Sequence, residues 1–352
     1  MLNLSQRQNK IIEIILKRKE ARSSDVHADL VTTGEDVSLV TVKRLLSSFA
    51  STGVLEVTSS GRSTSYRVSA FGRLVFGVDA HVYCSVEPDR RYGLKGYNFA
   101  LFDALPSDPF TEDESAKLQK AADVYALRTR QLPPAILEKE LERFIIELSW
   151  KSSRIEGNTY TLLDTERLLA SGIEASGHDR REAVMILNHK EAFRFVRREA
   201  KSYENLTRQN LENVHRILVK DMGVSYGLRK NPVGVTGSTY RPLDNVHQVR
   251  EAVDALCLAV SRSVTPEAKA LVALLGISYI QPFEDGNKRT ARLIANALLL
   301  AGGCAPLSYR SVDENAYREA IMVFYEINSL VPFRKIFVEQ YAFAADNYLI
   351  VA

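Results

Sequence analysis

Apolar residues recur at helical spacing along most of the chain. Residues 4–19 set Leu4, Ile11, Ile12, Ile15 and Leu16 on one helical face. Ser23 and Ser24 can cap a short second helix through Leu30, and Ser38 can cap a third over Leu39–Ser51. In the third, Leu39, Val42, Leu45, Leu46 and Phe49 face inward, and Gly53 stops it. Across residues 54–69 the period shortens to two around Ser60-Gly61, which predicts a β-hairpin. Residues 73–115 mix Gly, Pro, Tyr and Phe with no clear period and read as a linking segment. Helical patterns then occupy 135–155, 162–172, 179–199, 207–222, 247–262, 266–280, 287–301, 313–327 and 332–349. Residues 232–242 (PVGVTGSTYRP) interrupt them with Val, Thr, Tyr and Gly, and predict a second hairpin. The expected fold is mainly α, with a small α+β domain over 1–72, a linking segment over 73–134 and a helical domain over 135–352.

Composition narrows the class. Of 352 residues, 45% are hydrophobic and 25% charged, as in an ordinary globular protein. No apolar run reaches the roughly 18 residues of a membrane span. The opening MLNLSQRQNK has no charged-then-apolar leader, so no membrane partner is expected. Cys84, Cys257 and Cys304 are odd in number and far apart, which suits a reducing cytoplasm better than a disulfide framework or a zinc site. Net charge is only +3. Residues 1–72 hold ten Lys/Arg against seven Asp/Glu, and the remainder holds 36 of each, so the whole excess lies in the N-terminal fifth.

Three short helices followed by a hairpin resemble the winged helix-turn-helix family. That resemblance implies a third helix in the major groove of double-stranded DNA and a wing on the backbone. Thr41, Lys43, Arg44 and Arg62 would be the contacts. A winged helix also serves as a protein–protein module, and both readings stay open here.

Most of the chemistry lies in Gln281–Arg292 (QPFEDGNKRTAR). Thr265-Pro266 opens a helix that must end near Gln281, because Pro282 disfavours helical geometry in the residue before it. A second helix starts near Asn287 and ends at Gly302-Gly303. A short loop holding Gly286 therefore sits at a helix N-terminus, where free N–H groups and the helix dipole attract anions. Arg289 and Arg292, three apart, share a face and suit phosphate oxygens. Asp285 could hold Mg2+, which needs only one or two carboxylates besides phosphate. An acidic-basic helix cap with surface arginines would give the same spacing. No Walker-type G-x-x-x-x-G-K-S/T loop and no Cys/His cluster of metal spacing is present.

The full string resembles the signature of the Fic (Fic/DOC) family, H-P-F-x-D/E-G-N-G/K-R-x-x-R, at every position except the first, where Gln281 stands for His. The likeness extends over roughly residues 135–345. It implies a helical Fic-type domain with a β-hairpin flap, and transfer of AMP from ATP to a Ser, Thr or Tyr hydroxyl of a target protein. Asp285 would bind Mg2+; Gly286, Asn287 and Lys288 would cradle the phosphates; Arg289 and Arg292 would hold the outer ones. Phe283 would anchor the loop, Tyr317 would lie near the adenine, and the flap residues Val235, Thr236, Gly237 and Ser238 would pair with extended target backbone. Upstream, Ser152-Ser153-Arg154-Ile155-Glu156-Gly157-Asn158 resembles the family's inhibitory motif S/T-x-x-x-E-G/N. By that resemblance Glu156, one turn from Ser152 and followed by Gly157, would pair with Arg292 and hold ATP unproductively. Lys288 also resembles the phosphate-transferring Doc branch, although Gly286 and the in-chain inhibitory motif favour AMP transfer.

The family's His takes the proton from the attacking hydroxyl, and Gln281 has no useful basicity for that task. Losing a general base costs about 100- to 10,000-fold in rate. The expectation is a phosphate-binding scaffold that is inactive or strongly impaired, whether Gln281 is natural or introduced. The alternative is a DNA-binding transcriptional regulator whose Fic-like domain only binds nucleotide or mediates assembly. Helical domains of this kind often self-associate, so a homodimer is also compatible with the sequence.

Overall fold

The computed structural model describes residues 1–59, 64–130 and 133–351. It divides into two compact units: Met1–Thr111 with Val235–Arg241 and Glu319–Phe333, and Glu112–Gly234 with Pro242–Arg318 and Arg334–Ala352.

The first unit begins with α1 (Gln6–Arg18), β1 (Ala21–Arg22), α2 (Ser23–Thr32), α3 (Leu39–Ser51), β2 (Leu55–Ser59) and β3 (Ser65–Val68). Ser5 closes a capping box with Gln8 at the start of α1, and Ser38 accepts the Thr41 N–H at the start of α3. The strands form an antiparallel sheet in the order β1-β3-β2, with Ala21 opposite Tyr66 and Leu55 opposite Val68. This is the helix–helix–helix–hairpin arrangement of a winged helix. Ile11, Ile12, Ile15, Val26, Leu30, Val42, Leu46 and Phe49 fill one core with Val54, Leu55, Tyr66 and Val68. Ser60-Gly61 and Arg62, the expected wing tip, lie outside the described residues.

The segment read as a linker is more structured than its sequence suggested. It holds α4 (Ala70–Val75), α5 (Ala80–Cys84) and α6 (Leu101–Ala104), helices too short to show a period. Gly72 is indispensable in α4, because a Cβ there would lie 2.1 Å from the Val54 carbonyl oxygen.

The predicted second hairpin does not form a ladder. Residues 232–240 hold no strand; Val235–Ser238 is a turn with Gly237 at φ 78°, closed by Ser238 N–H to the Val235 carbonyl at 3.1 Å. Its polar groups find other partners. Ser238 Oγ donates to the buried Glu326 carboxylate at 2.6 Å and accepts the Tyr240 N–H at 3.0 Å, while Arg91 donates to the Gly237 carbonyl at 3.0 Å. Arg241 makes one isolated bridge to Gly96.

The second unit is helical. It contains α7 (Glu112–Thr129), α8 (Pro134–Ile155), α9 (Leu162–Ser171), α10 (Arg180–Arg198), α11 (Arg208–Leu218), α12 (Val246–Arg262), α13 (Pro266–Ile280) and α14 (Asn287–Ala301). α15 (Glu314–Ile327) and α16 (Val331–Asn347) complete the chain. α13 is apolar all round, and every residue from Ala270 to Ile280 is buried, as a central helix requires. α14 follows after a six-residue loop and buries Asn287 and Arg289–Leu300. No helix among the described residues is long and apolar enough to cross a membrane.

Gly72→Ala is expected to destabilise the protein by about 1–3 kcal/mol, since overpacking against backbone cannot be relieved by a rotamer change. A urea titration of the full chain followed by circular dichroism checks this through a lower first midpoint.

Candidate functional site

Two left-handed residues make the bend between α13 and α14. Gln281, at φ 52° and ψ 58°, ends α13 by donating its N–H to the Ile277 carbonyl at 3.1 Å. Such a conformation costs a non-glycine residue roughly 1 kcal/mol, so something must hold it. Gly286, at φ 77°, opens α14, and a Cβ there would press on Val219 at 3.2 Å. The loop between them is bound from inside. Asn287 Nδ2 donates to the Phe283 carbonyl at 2.8 Å and to Gln281 Oε1 at 3.0 Å, and Asn287 Oδ1 accepts the Phe283 N–H at 2.8 Å. Gln281 Nε2 in turn donates to the Ser278 carbonyl at 2.6 Å.

Two further residues clamp the loop from outside. Arg229, almost fully buried, donates Nε to the Gln281 carbonyl at 2.6 Å, and its own N–H bonds the Pro282 carbonyl at 2.9 Å. His215, fully buried on α11, stacks on Phe283 with ring centroids 3.8 Å apart and donates Nε2–H to the Asp285 carbonyl at 3.0 Å. That hydrogen bond assigns the neutral imidazole with its proton on Nε2. Burial pushes His215 down to about 4. Neither His215 nor Arg229 has a local sequence pattern that points to this role, since each meets the loop only through the tertiary fold.

The charged groups converge on the first turn of α14. Thr290 N–H makes the first intrahelical bond, to Gly286 at 2.8 Å, so the amides of Asn287, Lys288 and Arg289 face outward without one. Asp285 Oδ1 accepts the Gly286 N–H at 2.6 Å, and its Oδ2 lies 3.1 Å from buried Arg289. Burial lowers the Arg289 pKa, while Asp285 and Glu156 oppose that shift. Arg292 is fully buried. Its NH2 lies 2.9 Å from Glu156 Oε1, and it donates to Ser152 Oγ and to the Ser152 carbonyl, both at 2.8 Å. Tyr317 is buried with its ring 5.7 Å from the Arg292 guanidinium. Lys288 Nζ reaches Glu156 Oε2 at 3.5 Å. Burial alone would raise the Glu156 pKa, but Arg292 and then Lys288 hold it below the usual carboxylate range. α8 ends here because Gly157, at φ 97°, turns the chain out of the helix.

The structure thus brings Gln281, Asp285, Gly286, Asn287, Lys288, Arg289, Arg292, Ser152, Glu156, Gly157 and Tyr317 into one region of the second unit. Asn287 has only its backbone amide left for a ligand, because its carboxamide is spent on the loop. The arrangement suits a polyphosphate: an amide-lined helix end, one half-buried lysine and two guanidiniums. No group of three or more metal-binding side chains is present among the described residues. The donor set nonetheless fits Mg2+ held with phosphate, since the Asp285 side chain is 57% exposed beside those amides. Val235, Thr236, Gly237 and Ser238 belong to the first unit. In that unit Lys43 and Arg44 lie exposed on α3, with Thr41 half-buried at its cap.

Comparison with known proteins agrees with this geometry. Residues 205–299 match the Fic/DOC family, and residues 4–71 match the penicillinase repressor family. The chain carries a Fic/DOC domain. A protein adenylyltransferase Fic of Nematostella vectensis is 26% identical over 205 residues, covering 57% of this chain and 47% of that protein. Protein adenylyltransferase fic-1 of Caenorhabditis briggsae is 30% identical over 158 residues, covering 44% and 31%. The chain therefore spans half or less of the length of these curated relatives. Among solved structures, a Fic-domain-containing signaling protein of Bacteroides thetaiotaomicron superposes with a TM-score of 0.54 at 22% identity, covering 65% of this chain and 94% of that one. Fic-1 of Caenorhabditis elegans gives 0.59 at 20% identity, covering 67% and 72%. These likenesses establish the fold of the Fic domain.

The buried neutral His215 makes stability pH-dependent. Its folded pKa of about 4 lies below the unfolded value near 6.5, so the unfolded chain takes up the proton first. Stability is full above pH 6.5 and falls as pH drops towards 4, by about 3 kcal/mol for this group. His189, kept neutral by burial and then by Arg292 and Arg289, adds to the slope in the same direction. His215→Gln keeps a donor for Asp285 without the titration. Its unfolding free energy, measured by urea melts at pH 7 and pH 5, is expected to fall less than that of the parent chain.

Proposed function

We propose that the Fic domain is an adenylyltransferase scaffold that moves AMP from ATP to a protein Ser, Thr or Tyr hydroxyl, that Glu156 restrains it, and that Gln281 severely impairs it in this chain. The observation that carries the reading is the Glu156–Arg292 ion pair beside the open amides of α14. A fully buried guanidinium needs an anion, and Glu156 supplies one from within the chain. Remove Glu156 and the same guanidinium, with Lys288, becomes a site for a phosphate oxygen. Names of the relatives support ATP as the substrate and a protein as the acceptor.

On this reading the roles divide by chemistry. The amides of Asn287 and Lys288, with Lys288 and Arg289 side chains, bind and orient the polyphosphate. Asp285 would hold Mg2+, whose chemistry is to neutralise phosphate charge. Gln281 occupies the position from which a base would take the hydroxyl proton, and its carboxamide is already engaged with Asn287 and Ser278. AMP transfer is favoured over phosphate transfer by Gly286 and by the in-chain restraint. Double-stranded DNA is a second proposed partner, supported by the penicillinase repressor match and by exposed Lys43 and Arg44 on α3. The two readings are compatible. A homodimer and a cytoplasmic location remain consistent with both.

Gln281→His combined with Glu156→Gly is expected to label protein when supplied with α-labelled ATP and Mg2+, while the parent chain labels at least 100-fold less. Gel autoradiography reads the result, and no label from the double variant would overturn the assignment. Isothermal titration of ATP into Glu156→Gly alone separates binding from chemistry, with an affinity about tenfold tighter than the parent's expected. For the winged-helix unit, Lys43→Ala and Arg44→Ala should each weaken duplex binding and flatten its dependence on salt concentration, as measured by fluorescence anisotropy.

A further inference from the structure

The first unit holds a cleft of about 540 Å3 that the Fic chemistry does not use. Its volume lies in the range of small-molecule sites. It is formed by α1 on one side and by residues 76–92 on the other, the segment whose composition had no period to explain it. The floor is aromatic. Phe76 and Tyr83 are buried, and Tyr83 meets Tyr92 edge-to-face at 5.4 Å. The Tyr83 hydroxyl donates to Glu326 at 2.7 Å and the Arg91 guanidinium lies 5.9 Å over its ring, so Tyr83 packs beneath the cleft while half-buried Tyr92 lines it. One wall is apolar and uncovered: Val82 is 62% and Val86 41% exposed on the α5 side.

Both sides carry basic groups. Four cations, Lys10, Lys17, Arg90 and Arg91, line the cleft against two carboxylates, Glu13 and Asp79. Their pairing decides which is available. Lys10 pairs with Glu35 at 3.2 Å, Lys17 with Glu13 at 2.6 Å and Arg91 with Glu326 at 3.4 Å. The Asp79 carboxylate caps α5 through the Val82 N–H at 3.0 Å. Among the described residues, the Arg90 guanidinium has neither a hydrogen bond nor a carboxylate partner. An aromatic floor, two bare valines and one unengaged guanidinium define a ligand with a flat apolar body and a single negative charge.

We propose that this cleft binds a small aromatic carboxylate, with its ring against Tyr92, Val82 and Val86 and its carboxylate on Arg90. A bidentate guanidinium–carboxylate contact suits the free fork of Arg90. Lys17, 5.3 Å from the Tyr92 ring centroid, adds positive potential at the same end. The site is independent of the nucleotide reading. Its consequence falls on the winged helix, because α1 lines the cleft with Asn9 and Glu13 and packs Ile11, Ile12 and Ile15 into the core that supports α3.

The test uses the full chain and 8-anilinonaphthalene-1-sulfonate, an anionic aromatic fluorophore, with naphthalene-2-carboxylate and 2-naphthylmethylamine as competitors of similar body and opposite charge. Saturable one-site fluorescence enhancement is expected, displaced by the carboxylate at least tenfold more readily than by the amine. Arg90→Glu and Val82→Glu should each weaken probe binding about tenfold or more while far-UV circular dichroism and the melting midpoint stay unchanged. Val86→Glu provides a second reading of the apolar wall should Val82→Glu melt early. Absence of saturable binding, equal displacement by amine and carboxylate, or undiminished binding in Arg90→Glu with both valine variants overturns the proposal.

Discussion

The Asn287 carboxamide bonds both the N–H and the carbonyl of Phe283 and reaches Gln281 besides, and so closes the bend between the two most buried helices of the second unit. Close-packed helices leave little room for a loop to drift. Inside that constraint, Gln281 can stay in a left-handed conformation that it would not choose alone, and the first amides of α14 keep one fixed direction. Arg229 and His215 hold the same bend from the outer side through the Gln281 and Asp285 carbonyls. The bend is therefore set by side chains bonding backbone, which leaves its outward N–H groups free for an anion.

Charge at the site is balanced by the protein itself. Arg292 is buried and cannot shed its proton, so the fold must supply an anion or suffer an uncompensated charge. Glu156 and Ser152 meet that need from the end of α8. Glu156 keeps partial exposure and a second contact to Lys288, and on the proposed reading it is the replaceable member of the pair. A buried arginine with an exchangeable counter-ion is a bistable element: the same guanidinium can face a carboxylate of the chain or an oxygen of a ligand, and not both at full strength. The proposed restraint follows from that exclusivity.

Much of this was legible in the sequence, for reasons that differ by element. The boundaries of α13 and α14 could be read because Thr265-Pro266, Pro282 and Gly286 act on their immediate neighbours. The long helices could be read because burial on one face leaves a 3.6-residue period, and α3 begins and ends where Ser38 and Gly53 stand. α4, α5 and α6 could not, because four to six residues are too few to show any period. α7 was read as part of a linker, since Leu118, Ala121 and Tyr125 are its only deeply buried residues. The segment 232–242 has strand composition but no ladder, because Glu326 and Arg91, remote in sequence, take up its polar groups. The clustering of charges on α14 was visible from spacing. The clamps Arg229 and His215 were not, because their partners lie 52 and 70 residues away.

Gln281 shows how binding and chemistry can separate at one position. Its carboxamide has one acceptor and one donor group, and the structure uses both: Oε1 accepts from Asn287, and Nε2 donates to Ser278. A neutral imidazole there could also donate one hydrogen bond and accept one, so the loop places the same demand on either residue. What differs is the proton. Imidazole can take one near pH 7, whereas a carboxamide oxygen cannot. The amide-lined helix end, Arg289 and the Arg292–Glu156 pair do not depend on that basicity, since each is fixed by backbone geometry or by charge. On the proposed reading, the residue at 281 therefore governs the rate of transfer while leaving the polyphosphate site and its restraint standing, and the two properties can be lost or regained independently.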